Sequence, residues 1–256
     1  MSSQSLLQQM INLTLVALLL TACGAPAGAP TPIPPTATPP STGPGIDREG
    51  LVAYWPFDGD ANDASGNGHH GTVHGATLTT DRYGEDERAY AFDGVDDFIS
   101  VSDSPDFDIG AGEMTVLLWI FHQAGNKWKG IVSHTDGLKA TDGWMWTLDH
   151  LRGGVVVVCM DGIDHLFRPL PPLDTWVHLA FVKKGSMITS YVDGVAQGNP
   201  IDHRKSINDS DGELRIGMEG STWGENFFLG KIDDVRLYNR ALTADEILAA
   251  MNTLEP

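Results

Sequence analysis

The first 46 residues of this 256-residue chain carry no charged side chain, and residues 1–10 contain neither Lys nor Arg. Every charge of the protein therefore belongs to residues 47–256. Positive charge is scarce there: 16 Lys and Arg face 34 Asp and Glu, for a net charge of −18. That balance excludes nucleic acid and anionic lipid surfaces as partners. Long hydrophobic runs are missing too. The longest, residues 11–22, covers twelve positions, whereas a membrane-spanning helix needs about 20. Cysteine is nearly absent, with only Cys23 and Cys159, so no disulfide framework is expected. Cys159 lies in the apolar run 155–160 and reads as a buried free thiol, which behaves as a small hydrophobe. The chain has no Gly-x-Ser-x-Gly, no His-Glu-x-x-His, no phosphate-binding glycine loop and no internal repeat. The common hydrolase and nucleotide-binding motifs are thereby excluded.

What the amino terminus does have is a short apolar stretch of the size of a secretory core, though without a basic start. It ends in Leu20-Thr21-Ala22-Cys23, which resembles a bacterial lipobox. The resemblance implies that residues 1–22 are a signal peptide and that Cys23 is lipidated and becomes the mature amino terminus. Residues 24–45 are almost entirely Pro, Ala, Thr, Gly and Ser. Such a composition favours extended, polyproline-like conformers, up to ~3 Å per residue, so residues 23–46 are read as a semi-rigid linker. The expected location is the cell envelope. The protein would be exported, anchored to the outer surface of a membrane, and in contact with that membrane only through the lipid.

Residues 47–254 have the length of one domain, enough to bury a sizeable core. Short apolar segments alternate with Asp-Gly, Gly and Asn turns. Asp161-Gly162 and Asp193-Gly194 lie between apolar runs, the strongest short hairpin signal. Strands are expected at 51–57, 90–92, 98–101, 114–121, 130–134, 144–149, 155–160, 176–183, 187–192, 214–217 and 230–237. Many short strands with polar turns indicate an all-β sandwich or barrel. Both faces of 114–121 are apolar, so that strand should be central and covered on both sides. One helix is expected after Thr243-Ala244-Asp245-Glu246, a capping-box sequence. Its apolar face would be Ile247, Leu248 and Met251, docked on the sandwich.

Five segments, in order, resemble the LamG-like jelly-roll family of concanavalin A-like sandwiches. They are residues 50–58 (Gly-Leu-Val-Ala-Tyr-Trp-Pro-Phe-Asp), 63–68 with Gly71, 91–98, 176–180 leading to 191–194, and 230–242. The resemblance covers about residues 50–252. It implies an all-β fold of two antiparallel sheets, with the first and last strands close together. It raises the expectation of a structural Ca²⁺, since members of this fold often hold one.

Four constellations could carry function. Asp58, Asp63, Asn67 and Asp233 could share a Ca²⁺ if the terminal strands are neighbours, because Ca²⁺ takes six to eight oxygens; the Asp93, Asp96, Asp97 turn is a rival location. His69, His70 and His74 are expected to be loop histidines rather than metal ligands, and His178 a satisfied sheet residue. Trp128 and Trp223 lie in polar, Gly-containing stretches, where a ring can stack against a sugar with Glu225 and Asn226 nearby. Trp144 and Trp146 favour the core, as do Trp55, Trp119 and Trp176. Finally, the Glu-x-Asp-x-x-Glu strand motif of related glycanases is absent, and no catalytic residue is assigned. The sequence therefore points to a surface-anchored, non-catalytic, lectin-like binding module for carbohydrate. The alternatives are a module that binds an extracellular protein and, less favoured, a divergent glycanase with two carboxyls facing across a cleft.

Overall fold

A computed structural model describes residues 48–125, 128–136, 142–152, 154–221 and 224–253. The expected signal peptide, Cys23 and the linker lie outside the described residues, as does Trp223. The described chain forms strands β1 (Leu51–Trp55), β2 (Gly71–His74), β3 (Thr77–Thr79), β4 (Ala89–Asp93), β5 (Phe98–Val101), β6 (Met114–His122), β7 (Trp128–His134), β8 (Trp144–Asp149) and β9 (Val155–Met160). It continues with β10 (Ile163–Phe167), β11 (Trp176–Lys184), β12 (Met187–Val192), β13 (Val195–Ala196), β14 (Ile201–Asp202), β15 (Leu214–Ile216), β16 (Met218–Ser221), β17 (Gly224–Phe227) and β18 (Leu229–Tyr238). One α-helix, α1 (Ala244–Asn252), closes it.

Two antiparallel sheets make the sandwich. The larger runs β13-β12-β11-β6-β18-β4-β3, with β1 also on β18 and β14 on β12; the smaller runs β10-β9-β8-β7-β15-β5-β2. The terminal strands pair directly, from Leu51 opposite Tyr238 to Trp55 opposite Val235. Between the sheets lies one apolar core that includes Trp55, Val116, Leu118, Ile120, Trp144, Trp146, Leu179, Phe181, Ile232 and Leu237. Alternation explains it: inward residues of β6 and β11 are every second position, as a pleated strand requires.

The two Asp-Gly hairpins form as expected. Asp161 and Gly162, and Asp193 and Gly194, all have positive φ. That is the requirement of the two-residue turn whose twist matches the strands. Thr243 and Glu246 form the reciprocal capping box of α1. The buried face of the helix differs from the expected one. Ile247 and Ala250 are buried, whereas Leu248 is exposed. The helix packs on Leu51, Tyr54, Leu117, Ala180, Val182 and Tyr238 of the outer face of the larger sheet. Among the described residues no helix is long and apolar enough to cross a membrane.

Candidate functional site

The most heavily charged buried region lies where β18 breaks its register with β6. Asp233 pairs with Trp119, but Arg236 already pairs with Leu117, so β18 carries one extra residue. Asp234 takes up that residue with φ of 54°, a left-handed conformation that Asp tolerates better than most side chains. A bulge of this kind redirects side chains. Here it leaves Asp233, Asp234 and Arg236 buried together.

A loop far away in sequence supplies the counter-charge. The Asp81 carboxylate accepts the amides of Tyr83 and Glu85 at 2.8 Å each, closing a tight turn after β3. The turn places Arg82 over the bulge. Its Nη1 donates to Asp233 at 2.6 Å and its Nη2 to Asp234 at 2.7 Å. Tyr54 donates its hydroxyl to Asp234 at 2.7 Å, and Arg236 donates to the same oxygen at 3.2 Å. Arg236 also donates to the carbonyl of Ala250 at 2.8 Å, which the C-cap amide of Thr253 reaches at 3.5 Å, and so ties the last turn of α1 to β18. Burial alone would raise the Asp234 carboxyl, but Arg236 and Arg82 outweigh it and hold it below the usual range. Burial, followed by the charge of Asp234, pushes Asp233 well above that range. The pair is therefore a coupled acid unit, with Asp234 its firmly ionised member.

In front of this network lies an aromatic surface. Strand register sets Trp176, Phe121 and Lys231 side by side in one row and His178, Trp119 and Asp233 in the next. Both rows point away from the core. Trp119, Phe121 and Trp176 are half-buried, as is Tyr83 at the edge. Phe121 and Trp176 meet edge-on with ring centroids 6.0 Å apart. The Arg82 guanidinium lies 4.7 Å from the Tyr83 ring and 4.8 Å from the Trp119 ring. These contacts correct two expectations. Trp119 and Trp176 do not belong to the core, and the outer face of β6 is fully covered at Thr115, by residues 240–242, and at Leu117, by α1, but only half-covered at Trp119 and Phe121. His178 differs from expectation too: it is buried, and among the described residues neither ring nitrogen has a hydrogen-bond partner.

The four expected Ca²⁺ ligands are not gathered around one point. Asp63 is consumed by a turn, accepting the amides of Tyr54, Ser65 and His69 at 3.0, 2.8 and 3.0 Å. Asn67 donates its amide to the carbonyls of Leu51 and Val52. Asp58 pairs with Arg88 at 3.0 Å and Asp233 with Arg82. The residues do not fit a shared cation, because the carboxylate nearest the bulge already faces a guanidinium. At the rival turn, ligand oxygens of Asp93, Asp96 and Asp97 come within 4.8 Å of one another. There, Asp93 accepts the amides of Val95 and Asp96, and Asp97 accepts that of Asp93, as expected of an Asx turn. The three histidines do not converge either. His69 meets Asp106, His70 accepts the Asp63 amide, and His74 stacks on Phe98.

The expected sugar site is divided. Trp128 is half-buried, and the guanidinium of Arg152 lies 4.7 Å from its ring centroid, much as Arg82 lies over Trp119. Asn226 lies in the β16–β17 hairpin and donates to buried Glu219 at 3.2 Å. Trp223 and the side chain of Glu225 lie outside the described residues. Trp144 and Trp146 are core residues. A separate cavity of about 290 Å³ opens between residues 106–114 and 237–239, lined by Asp106, Asp108, Glu113 and Tyr238 among others. Two of its acids serve local structure, Asp108 accepting the Ser210 amide and Glu113 that of Ala241.

Comparison with solved structures agrees with this architecture. Domain 4 of an extracellular GH43 arabinanase from Geobacillus stearothermophilus, in complex with arabinotriose, superposes with a TM-score of 0.63 at 19% identity, over 78% of this chain and 97% of that one. The binding domain of Paraclostridial Mosquitocidal Protein 1 gives 0.63 at 18% identity, over 80% and 52%. The binding domain of Botulinum neurotoxin DC, in complex with rat synaptotagmin II, gives 0.63 at 12%, over 80% and 52%. Among curated proteins, usherin of Mus musculus is 25% identical over 150 residues, which is 54% of this chain and only 3% of usherin. Residues 93–248 match the family model described as the concanavalin A-like lectin/glucanases superfamily, and with the two-sheet sandwich in place the chain belongs to that superfamily.

Proposed function

We propose that this protein is a non-catalytic binding module that holds a glycan against the outer face of its larger sheet. The observation that carries this reading is the pair of adjacent rows in which Trp119, Phe121 and Trp176 remain half-exposed on rigid central strands. A pyranose ring has a nonpolar face that buries against an aromatic ring, while its hydroxyls stay in water. Rows two residues apart on one strand are separated by about 6.7 Å, a spacing that suits a chain of sugars better than a single one. Lys231 and Tyr83 flank the aromatic surface as polar partners. The strands are fixed by the core, so little ordering cost is expected in the protein. A shallow face with few fixed polar groups nevertheless gives weak, multivalent-type binding. Two of the similar domains are bound to a ligand: the arabinanase domain to arabinotriose, and the Botulinum neurotoxin DC domain to a protein, synaptotagmin II. In this reading the lipid on Cys23 and the spacer of residues 24–46 display the domain outside the cell.

The test is a glycan array on the full chain, followed by titration of hits with the Trp119→Ala and Trp176→Ala variants. Each variant is expected to weaken glycan binding by about tenfold or more, as for a buried aromatic anchor, and to leave far-ultraviolet circular dichroism unchanged. Normal glycan binding by both variants would move the site elsewhere. Loss of binding to a protein with no glycan hit would turn the assignment to the protein-partner alternative. In cells, Cys23→Ser is expected to release the binding activity from the membrane fraction.

A further inference from the structure

Four carboxylates, Asp58, Asp81, Asp233 and Asp234, line one small chamber with Tyr54, Pro56, Arg82 and Arg88. The free space is about 20 Å³, enough for one water-sized group. A chamber rich in carboxylate oxygens at the junction of the first strand, the last strand and a distant loop has the chemistry of a hard divalent-cation site. Its centre, however, is filled from within. The Arg82 side chain is 5% exposed and spans the two most buried acids, Asp233 and Asp234, with side chains 3% and 7% exposed. Its Nε is buried without a hydrogen-bond partner, so the guanidinium is held by the two ion pairs and by Tyr83 and Trp119 beside it. Arg88 shields the mouth by pairing with Asp58, both partly exposed.

We infer that Arg82 is a covalently tethered cation standing where a divalent metal would otherwise neutralise the chamber, and that the domain is therefore independent of Ca²⁺ at this junction. Two consequences follow from charge alone. With Arg82 in place the inner oxygens are occupied, and a metal would have to displace a guanidinium from Asp233 and Asp234. With Arg82 removed, Asp233 and Asp234 are left as adjacent buried acids partnered only by Arg236 and Tyr54, and a hard cation becomes the best available neutraliser. The inference is separate from glycan binding, since its readouts are stability and metal uptake.

The experiment compares the full-length wild type with Arg82→Ala, Arg82→Lys and the double variant Arg82→Ala/Asp233→Asn. Melting is followed in EDTA and in millimolar Ca²⁺, and Tb³⁺ luminescence sensitised through Tyr54 and Trp119 reports metal in the chamber. The wild type is expected to melt at the same temperature in both media and to give no sensitised Tb³⁺ signal from the chamber. Arg82→Ala is expected to melt at least about 6 °C lower in EDTA, to gain Tb³⁺ emission, and to recover part of the loss in Ca²⁺. The double variant should lose that gain. Arg82→Lys keeps a positive charge and should stay insensitive to Ca²⁺; it keeps the question answerable if the alanine variant fails to fold. A wild type that EDTA destabilises and Ca²⁺ restores, together with Tb³⁺ displaced from the chamber, would overturn the inference. So would a folded Arg82→Ala protein that takes up no Tb³⁺, or a lysine variant that responds to Ca²⁺ as the alanine variant does.

Discussion

On the outer face of the larger sheet, α1 covers Leu117, Ala180 and Tyr54 and leaves Trp119, Phe121 and Trp176 half-exposed. On the outer face of the smaller sheet, the β16–β17 hairpin is laid flat against β7. There Ser133 donates its hydroxyl to the Met218 carbonyl at 2.9 Å and Thr135 to that of Gly220 at 3.1 Å. The first cover is attached by side chains: an apolar patch and one buried arginine that grips the helix end. The second is attached by close approach of backbone to backbone, with hydroxyls as rivets. The first arrangement concentrates buried charge beneath an open aromatic surface; the second needs small residues and leaves little surface free. That contrast is why the candidate site is placed on the helix side. It also predicts that the two faces fail differently when perturbed.

The largest effect is expected at the buried charge. Asp234 accepts from Tyr54, Arg82 and Arg236 at once. Asp234→Ala leaves two guanidinium groups facing each other without that carboxylate. Breaking one partner of a buried ionic network costs about 3–5 kcal/mol, and chemical denaturation with the slope held constant would read it directly. The control is Asp202→Ala, which breaks an exposed pair with Arg204 and should shift the midpoint undetectably. Equal midpoints for the Asp234 and Asp202 variants would show that the bulge network does not hold the helix-side face together.

A smaller loss is expected on the hairpin side. A Cβ added to Gly130 would collide with the backbone of Met218 and Glu219, which are backbone atoms and cannot rotate away. Gly130→Ala should therefore lift the hairpin from β7 at a cost of about 1–3 kcal/mol, the usual range for overpacking. Hydrogen exchange separates this from global destabilisation: the amides of 218–221 and 224–227 should speed up while those of β6 and β11 stay protected. A uniform change in all strands, or none, would contradict the local attachment.

Much of the fold was legible in the sequence, and the reasons can be stated residue by residue. Strands β5, β8, β9 and β12 have the expected limits because apolar runs there stop at Gly, Asp or Asn turns. β18 was legible as a strand, but its bulge was not. Nothing in Ile232-Asp233-Asp234-Val235-Arg236 announces an extra residue until the pairing with β6 is known. The short strands β2, β3, β13 and β14, of two to four residues, carry no measurable periodicity and were missed, as were β10 and the β16–β17 hairpin. For the site, alternation along 114–122 was visible, but which side faces solvent was not. With both sides apolar, Trp119 and Phe121 looked like core. Their exposure follows from the length of α1, which covers the sheet only as far as Leu117. The terminal strands pair and bring Asp58 and Asp233 to one chamber, but Asp63 and Asn67, expected to join them around a cation, are bonded to backbone groups instead. What the linear pattern hid was Arg82, one of two basic residues in the polar loop 80–88, whose partners lie 151 and 152 positions away.

The smallest effect at neutral pH, and the one that sharpens the comparison most, concerns His178. It sits beneath the open surface, edge-on to Trp119 with ring centroids 5.3 Å apart. Burial, then the nearby charge of Arg236, lowers its pKa from 6.5 to about 3, against a small opposing pull from Asp234. Above pH 6.5 the ring is neutral in the folded and the unfolded chain and contributes no pH dependence. Between 6.5 and about 3 only the unfolded chain takes up the proton. Unfolding is then favoured by about 1.4 kcal/mol for each pH unit of acidification through that window. Burial also lowers His122, His150, His165 and His203, so the wild type should weaken steeply in acid with more than one proton involved. His178→Gln removes one titrating group from the helix-side face alone. Its stability should match the wild type most closely near pH 7 and fall less steeply below pH 6.5, by close to one proton in the slope. Denaturation midpoints measured from pH 7 to pH 4.5 would decide it. Parallel curves for the two proteins would mean that His178 is protonated in the folded state after all, and that its buried nitrogens have found a partner in water.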